Sequence, residues 1–214
     1  MKISDEVYAL DSTKGNYVYL ILAEEIILID TGLPKNGEGI LNDLKSMNIQ
    51  PHDIKHILIT HDDMDHVGSL ALLERASGAK IWASKEDIPH ITGEINRHVI
   101  KRILNYIVKL EKPENINSYP ENGMIDDVKV INTPGHTVGH ICLIYKDIMF
   151  VGDLFRTKDG EITTGPSFAN WNNSILEKSV VKIDEYDFKW ICPAHGEPIK
   201  RDGHLKDFIK KLDD

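Results

Sequence analysis

The sequence is poor in sulfur. Two cysteines occur in 214 residues, Cys142 and Cys192, too few for the disulfide framework that staples small secreted domains. Both lie inside apolar, strand-like runs and read as buried free thiols. Long apolar runs are lacking as well. No stretch reaches the roughly 18 residues needed to cross a bilayer, and the opening Met-Lys-Ile-Ser-Asp-Glu has no apolar core of a secretory leader, so the expected location is cytoplasmic. Basic charge is outnumbered: 25 Lys and Arg stand against 34 Asp and Glu, for a formal net charge of -9, and the basic residues are dispersed. Phosphate neutralisation needs them clustered, so nucleic acid is not expected as a partner, and without an apolar spanning run neither is a membrane. There is no Gly-x-Ser-x-Gly elbow to present a nucleophilic serine, no flavin or haem module, no internal repeat and no low-complexity segment.

What is present, at 41% hydrophobic content, can bury a sizeable core, and residues 1–214 suit a single domain or two tightly merged halves. Val7 to Leu10, Tyr17 to Leu22 and Ile26 to Ile29 read as a β-meander, with Lys14-Gly15-Asn16 as a turn. A helix follows over Gly39 to Met47, then a strand at Ile57 to Ile59, a helix from Ser69 to Ala76 stopped near Gly78, and a strand at Ala79 to Ala83. Strands return at Val128 to Ile131, Ile141 to Tyr145 and Ile148 to Val151, the last two joined across Lys146-Asp147. An asparagine-capped helix over Ser174 to Ile183, a strand at Phe188 to Cys192 and a helix at His204 to Leu212 complete an α/β pattern whose order hints at two similar halves.

One segment breaks that rhythm. Between Lys85 and Lys112 the residues Ile100, Ile103, Leu104, Ile107 and Leu110 form an amphipathic stripe, read either as plain packing or as a helical insertion serving as a lid or a homodimer contact. Its histidines, His90 and His98, read as surface residues.

The densest chemistry is Thr60 to Gly68, Thr-His-Asp-Asp-Met-Asp-His-Val-Gly. In extended backbone residues i and i+2 face the same way, so His61 and Asp63 can grip one ion while Asp65 and His66, one bend later, turn towards a second. Imidazole with carboxylate suits zinc, iron or manganese better than calcium or magnesium. Further His and Asp residues stand beside glycines at strand ends: His136 in Thr-Pro-Gly-His-Thr, Asp153 in Val-Gly-Asp and His195 in Pro-Ala-His-Gly. Strand ends in α/β sheets gather along one edge, where open sheets build sites. Asp30, in Ile-Asp-Thr-Gly, either closes a strand or orients a metal-bound histidine through its other ring nitrogen. His140 is either a hydrogen-bonded core histidine or a donor behind the site. Trp82, Phe155, Arg156, Phe168 and Trp171 could line a pocket, the aromatics as easily a core.

Taken together and in this order, the five motifs from Asp30 to His195 resemble those of the metallo-β-lactamase superfamily of metallo-hydrolases, over about Tyr17 to Gly196. The resemblance implies a four-layer αββα sandwich with metals at one edge of two sheets. It further implies His61, Asp63 and His136 on a first divalent ion, Asp65, His66 and His195 on a second, and Asp153 bridging them. The family's common pattern carries histidine where this chain has Asp63. Two metals about 3.5 Å apart can share a hydroxide and polarise a substrate oxygen, with Asp65 orienting the nucleophile and passing its proton to the leaving group. The expected activity is hydrolysis of a small ester, lactone or thioester. A hydroxyacylglutathione hydrolase would be expected to carry a larger C-terminal helical domain than the helix His204 to Leu212. The alternatives are an iron redox protein, persulfide dioxygenase-like or flavodiiron-like, and a metal-binding regulator without turnover.

Overall fold

Runs of β-branched and aliphatic residues set up two six-stranded sheets, one in each of two compact units, Met1–Ser118 and Tyr119–Asp214. The computed structural model describes residues 1–95 and 110–212.

In the first unit the antiparallel meander forms as the sequence predicts. It runs through β1 (Val7–Ala9), β2 (Tyr19–Leu22) and β3 (Ile26–Ile29), with Val7 opposite Ile21 and Leu20 opposite Leu28. The chain then crosses over through α1 (Gly37–Ser46) to β4 (Ile54–Leu58), which lies parallel to β3. After the loop that carries His61, Asp62 and Asp63 come the short α2 (Met64–Val67) and α3 (Leu70–Ser77), then β5 (Lys80–Ala83), α4 (Ile88–Ile91) and β6 (Ile116–Ser118). The strand order is β1-β2-β3-β4-β5-β6, with β3 to β6 mutually parallel. Ile40 and Leu44, one turn apart on α1, and Leu70 and Leu73 on α3 close over Leu28, Ile57 and Ile81 of the sheet, and burying each such side chain contributes about 1.5–3 kcal/mol. Residues 96–109, which include His98 and the Ile100, Ile103, Leu104 and Ile107 stripe, lie outside the described residues, so the insertion reading of Lys85 to Lys112 is described only at its ends. There His90 is half-buried on α4, and Leu110 packs against the unit's core.

The second unit is built on β7 (Met124–Ile125), β8 (Val128–Asn132), β9 (Ile141–Tyr145), β10 (Ile148–Gly152), β13 (Trp190–Pro193) and β14 (Ile199–Lys200), in the order β14-β13-β10-β9-β8-β7. Only β10 and β13 pair in parallel within it. Between those two strands runs a hairpin that the sequence reading missed, β11 (Arg156–Lys158) with β12 (Glu161–Thr163). Its strands are short and polar, so no alternation announced them, although Asp159-Gly160 is a hairpin turn signal. α5 (Asn173–Ile183) starts at Asn172, whose side chain accepts from Ile175 N. Together with α6 (His204–Leu212) it covers Cys142, Met149, Val151 and Ile191 through Leu176, Val180, Leu205 and Phe208.

Two of the pocket readings resolve as packing. Phe155 is buried and meets Phe208 edge to face at 5.7 Å. Trp82 sits in β5 and donates its indole N–H to His56 Nδ1, while His56 Nε2 lies 2.8 Å from Glu25. Phe168 and Trp171 are exposed.

Candidate metal centre

Parallel pairing decides which loops meet. Because β3 and β4 run the same way, the residues leaving their C-terminal ends are neighbours, and Asp30 N donates to Leu58 O. Asp30 adopts φ +61°, a conformation that asparagine and aspartate tolerate better than most residues. Its carboxylate is buried and fully engaged. Oδ1 accepts from Thr60 N at 2.8 Å, while Oδ2 accepts from Thr60 Oγ1 at 2.7 Å and faces His66 Nδ1 at 2.8 Å. A carboxylate only accepts, so Nδ1 of His66 carries the proton and Nε2 keeps the lone pair that a metal needs. The next residue fastens the same turn, since Thr31 N and Oγ1 both donate to His66 O at 2.7 Å.

The rest of the loop follows from that clamp. Asp63 stands at the N-cap of α2, with Oδ2 3.6 Å from His61 Nε2, and the His61 and His66 rings lie 3.9 Å apart centre to centre. Ligand atoms of Asp65 and His66 fall within 4.8 Å of each other. Asn16, in the turn between β1 and β2, donates to Asp65 O at 2.6 Å.

In the second unit β8, β10 and β13 share one direction, so His136, Asp153 and His195 emerge from the same sheet edge. Asp153 Oδ2 lies 3.8 Å from His136 Nε2, 3.4 Å from His195 Nε2 and 3.8 Å from Arg156 Nη2. His136 Nδ1 is 2.8 Å from Asn170 Oδ1, and Asn170 Nδ2 donates to Asn173 Oδ1, which fixes the amide's orientation. His136 therefore also turns Nε2 towards Asp153. His140 is buried and uses both ring nitrogens: Nδ1 faces Thr133 O and Oγ1, and Nε2 accepts from Asp153 N at 3.1 Å. It thus holds the backbone from which Asp153 projects. Two glycines of the motifs are steric requirements. A Cβ on Gly135, at φ +141°, would stand 2.3 Å from Leu176 Cα, and one on Gly196, at φ +101°, 2.0 Å from Thr157 O.

Both thiols are free and buried, as their sequence context predicts. Burial pushes the Cys142 thiol up to about 12, opposed by a hydrogen bond from Thr133, and burial alone raises Cys192 further. Thiolate nucleophiles need the reverse shift.

Of the groups behind the candidate ligands, the sequence reading named Asp30 and His140 and missed Asn170, Thr60 and Thr133. Asn170 lies in the run Asn-Trp-Asn-Asn, readable as a helix cap, and nothing in that run distinguishes the residue that caps from the one that holds His136. Thr60 and Thr133 open their motifs, and their roles depend on pairing across strands.

The donor chemistry fits a divalent transition metal: imidazole nitrogens with their other ring nitrogen engaged, beside carboxylates. Comparison with known proteins agrees. The sequence model of the metallo-beta-lactamase superfamily matches residues 12–195. A probable metallo-hydrolase of Streptococcus pyogenes is 30% identical over 199 residues, covering 85% of this chain and 78% of its own. A hydroxyacylglutathione hydrolase of Shewanella loihica is 29% identical over 193 residues, covering 88% of this chain and 65% of its own. Among solved structures, a B3 metallo-β-lactamase described as having an active-site glutamic acid superposes with a TM-score of 0.73 at 21% identity, over 98% of this chain and 85% of its own. At that identity the likeness shows the fold, the αββα class expected from the motifs, and says nothing of substrate.

Proposed function

Since the chain belongs to the metallo-β-lactamase superfamily and is a metal-dependent hydrolase, we propose that His61, Asp63, Asp65, His66, His136, Asp153 and His195 hold two divalent ions and that the substrate is a small ester, lactone or thioester. The observation that carries this is the matched tautomer: His66 and His136 each give Nδ1–H to a fixed oxygen, on Asp30 and Asn170, and so each presents Nε2. Arranging that twice has little use in a structural turn and direct use in ligation. The similarity to hydroxyacylglutathione hydrolases, whose name describes a thioester substrate, supports the substrate class.

Divalent ions in this centre would supply Lewis acidity, polarising the scissile carbonyl and acidifying water. The chain's own groups do the rest. Asp65, half-buried and held at its backbone by Asn16, orients water and takes its proton, then passes it to the leaving oxygen or sulfur. Asp30 and Asn170 keep the imidazoles in one tautomer throughout. No protein nucleophile is required, and neither cysteine is ionised enough to serve as one.

The test is a panel of acyl-homoserine lactones, thioesters and β-lactams assayed with zinc, manganese and iron. Turnover of at least one class that is lost with chelator and restored by metal is expected, and no metal-dependent turnover of any class would overturn the proposal. A second reading draws on Asp63, because a carboxylate favours harder metals than histidine does. Anaerobic purification giving iron-loaded protein with oxygen uptake and no hydrolysis would select that redox reading.

A further inference from the structure

Thr157 is a polar residue in an apolar position. It lies in β11 two residues after Phe155, which packs into the core of the second unit. Across the hairpin it pairs with Ile162, which joins the same core beside Leu205 and Phe208. Its side chain is buried on the inner face of the hairpin, while Arg156 and Lys158 alternate outward. A valine of similar shape would fill that position and leave no hydroxyl to satisfy.

The hydroxyl is engaged with the turn that carries His195. Thr157 N donates to His195 O at 3.1 Å, and Thr157 Oγ1 donates to Glu197 O at 2.6 Å. One residue thus brackets Gly196 from both sides. That glycine sits at φ +101°, and a Cβ there would stand 2.0 Å from Thr157 O and 2.4 Å from Thr157 Oγ1, so its absence lets the hairpin approach. Glycine has the most backbone freedom to lose, and the two hydrogen bonds restrict it just beyond the end of β13. From this turn His195 directs Nε2 to within 3.4 Å of Asp153 Oδ2. The first unit contains the same device. Thr31, also buried, donates both its N and its Oγ1 to His66 O. In each unit a buried threonine places both of its donors on backbone that carries a candidate ligand.

We infer that Thr157 is a positioning residue: by fastening the turn His195-Gly196-Glu197 to the β11–β12 hairpin, it sets where His195 presents its ring to a divalent ion. The inference rests on the proposed metal centre. An imidazole ligates along the lone pair in its ring plane, so a turn able to rotate about Gly196 would have to be ordered at the moment of binding. Holding it beforehand removes that cost from the affinity.

The experiment challenges zinc-loaded protein with a chromophoric zinc chelator and follows the metal released, alongside a denaturant melt. Thr157→Val keeps the β-branched shape and removes the hydroxyl donor. Thr157→Ser keeps the donor and removes a methyl group, and Ile162→Val trims the hairpin's apolar anchor without touching either hydrogen bond. Thr157→Val is expected to release one zinc at about 10-fold lower chelator concentration, the low end of the range for groups behind metal ligands, because it acts through the backbone. Thr157→Ser should hold zinc as wild type does, and Ile162→Val should lower the melting midpoint with zinc release unchanged. Three results would each overturn the positioning role: unchanged release in Thr157→Val, equal loss in Thr157→Ser, or release that follows the melting midpoint alike in Thr157→Val and Ile162→Val. Turnover of the lactone, thioester and β-lactam panel is read separately. Zinc weakened in Thr157→Val, without turnover of any class by wild type, would uphold the role and count against the proposed substrates. Turnover with unchanged release would leave the substrates and remove the role. Wild type that takes up no divalent metal would overturn both.

Discussion

His66 and His136 do similar work and are held differently. His66 leans on Asp30, a buried carboxylate that also takes two hydrogen bonds from Thr60. His136 leans on Asn170, a neutral amide on a loop, steadied by one neighbouring asparagine. The contrast extends outward. The first unit surrounds its histidines with Asp30, Asp63 and Asp65, whereas in the second Asp153 has Arg156 beside it. A charged acceptor raises the basicity of the imidazole it holds and a neutral one does so less. In the proposed centre the bond from His66 to a metal should therefore be stronger than that from His136.

The strongest way to break the contrast is Asp30→Asn, which makes both orienting groups amides. The substituted side chain would have to satisfy three donors with one oxygen. If its NH2 replaces Oδ2, it confronts His66 Nδ1–H and drives the ring to the other tautomer, removing the lone pair at Nε2. Metal affinity and activity should fall about 10- to 100-fold, the usual cost of losing such a partner. Stability should fall by about 1–3 kcal/mol from the buried donors left unmet. Stepwise metal titration by calorimetry with a denaturant melt reads both, and unchanged affinity would mean that Asp30 serves the fold alone.

His140→Leu tests the second unit's backbone support. Asp153 N would lose its acceptor and Thr133 O its donor, for a loss of about 1–3 kcal/mol. His140→Gln should recover part of it. If metal affinity fell with no change in melting, His140 would be acting on the ligand set rather than on the strand end. Asn170→Ala should cost less than Asp30→Asn, about 10-fold in metal affinity at most, because it removes a neutral and partly exposed partner. The contrast fails if the two variants lose equally.

How much of this was legible in the sequence depended on distance along the chain. Strands such as β9 and β10 declared themselves by continuous apolar runs, and the candidate ligands stood out by their glycine-flanked motifs. Asp30 was readable because it stands in a motif of its own. Asn170 was not: it reaches His136 across 34 residues, through a loop whose path depends on Gly135 packing against α5, and a run of asparagines looks like a helix cap from any direction. Arg156 was visible as a residue, but its place beside Asp153 required a hairpin of Lys, Glu and Thr that carried no hydrophobic period.

The smallest expected effect concerns Asp63, where the superfamily's common histidine would make the two units more alike. In the proposed centre two divalent ions would bring four positive charges, which Asp63, Asp65 and Asp153 would reduce by three. With histidine at position 63 only two carboxylates remain, so the centre becomes one unit more positive. Carboxylate is also the harder ligand and moves selectivity from zinc towards iron or manganese. As-isolated protein is therefore expected to hold a mixture of metals, and Asp63→His to shift that mixture towards zinc. The sign of the pH effect follows from charge: a more positive centre favours the deprotonated form of water bound near it, so the acidic limb of the pH–rate profile should move to lower pH. Metal analysis after expression in medium balanced for zinc, iron and manganese, with pH profiles for both proteins, reads the two effects separately. Tightly bound zinc alone in the parent and identical profiles would show that Asp63 does not set the charge of the centre.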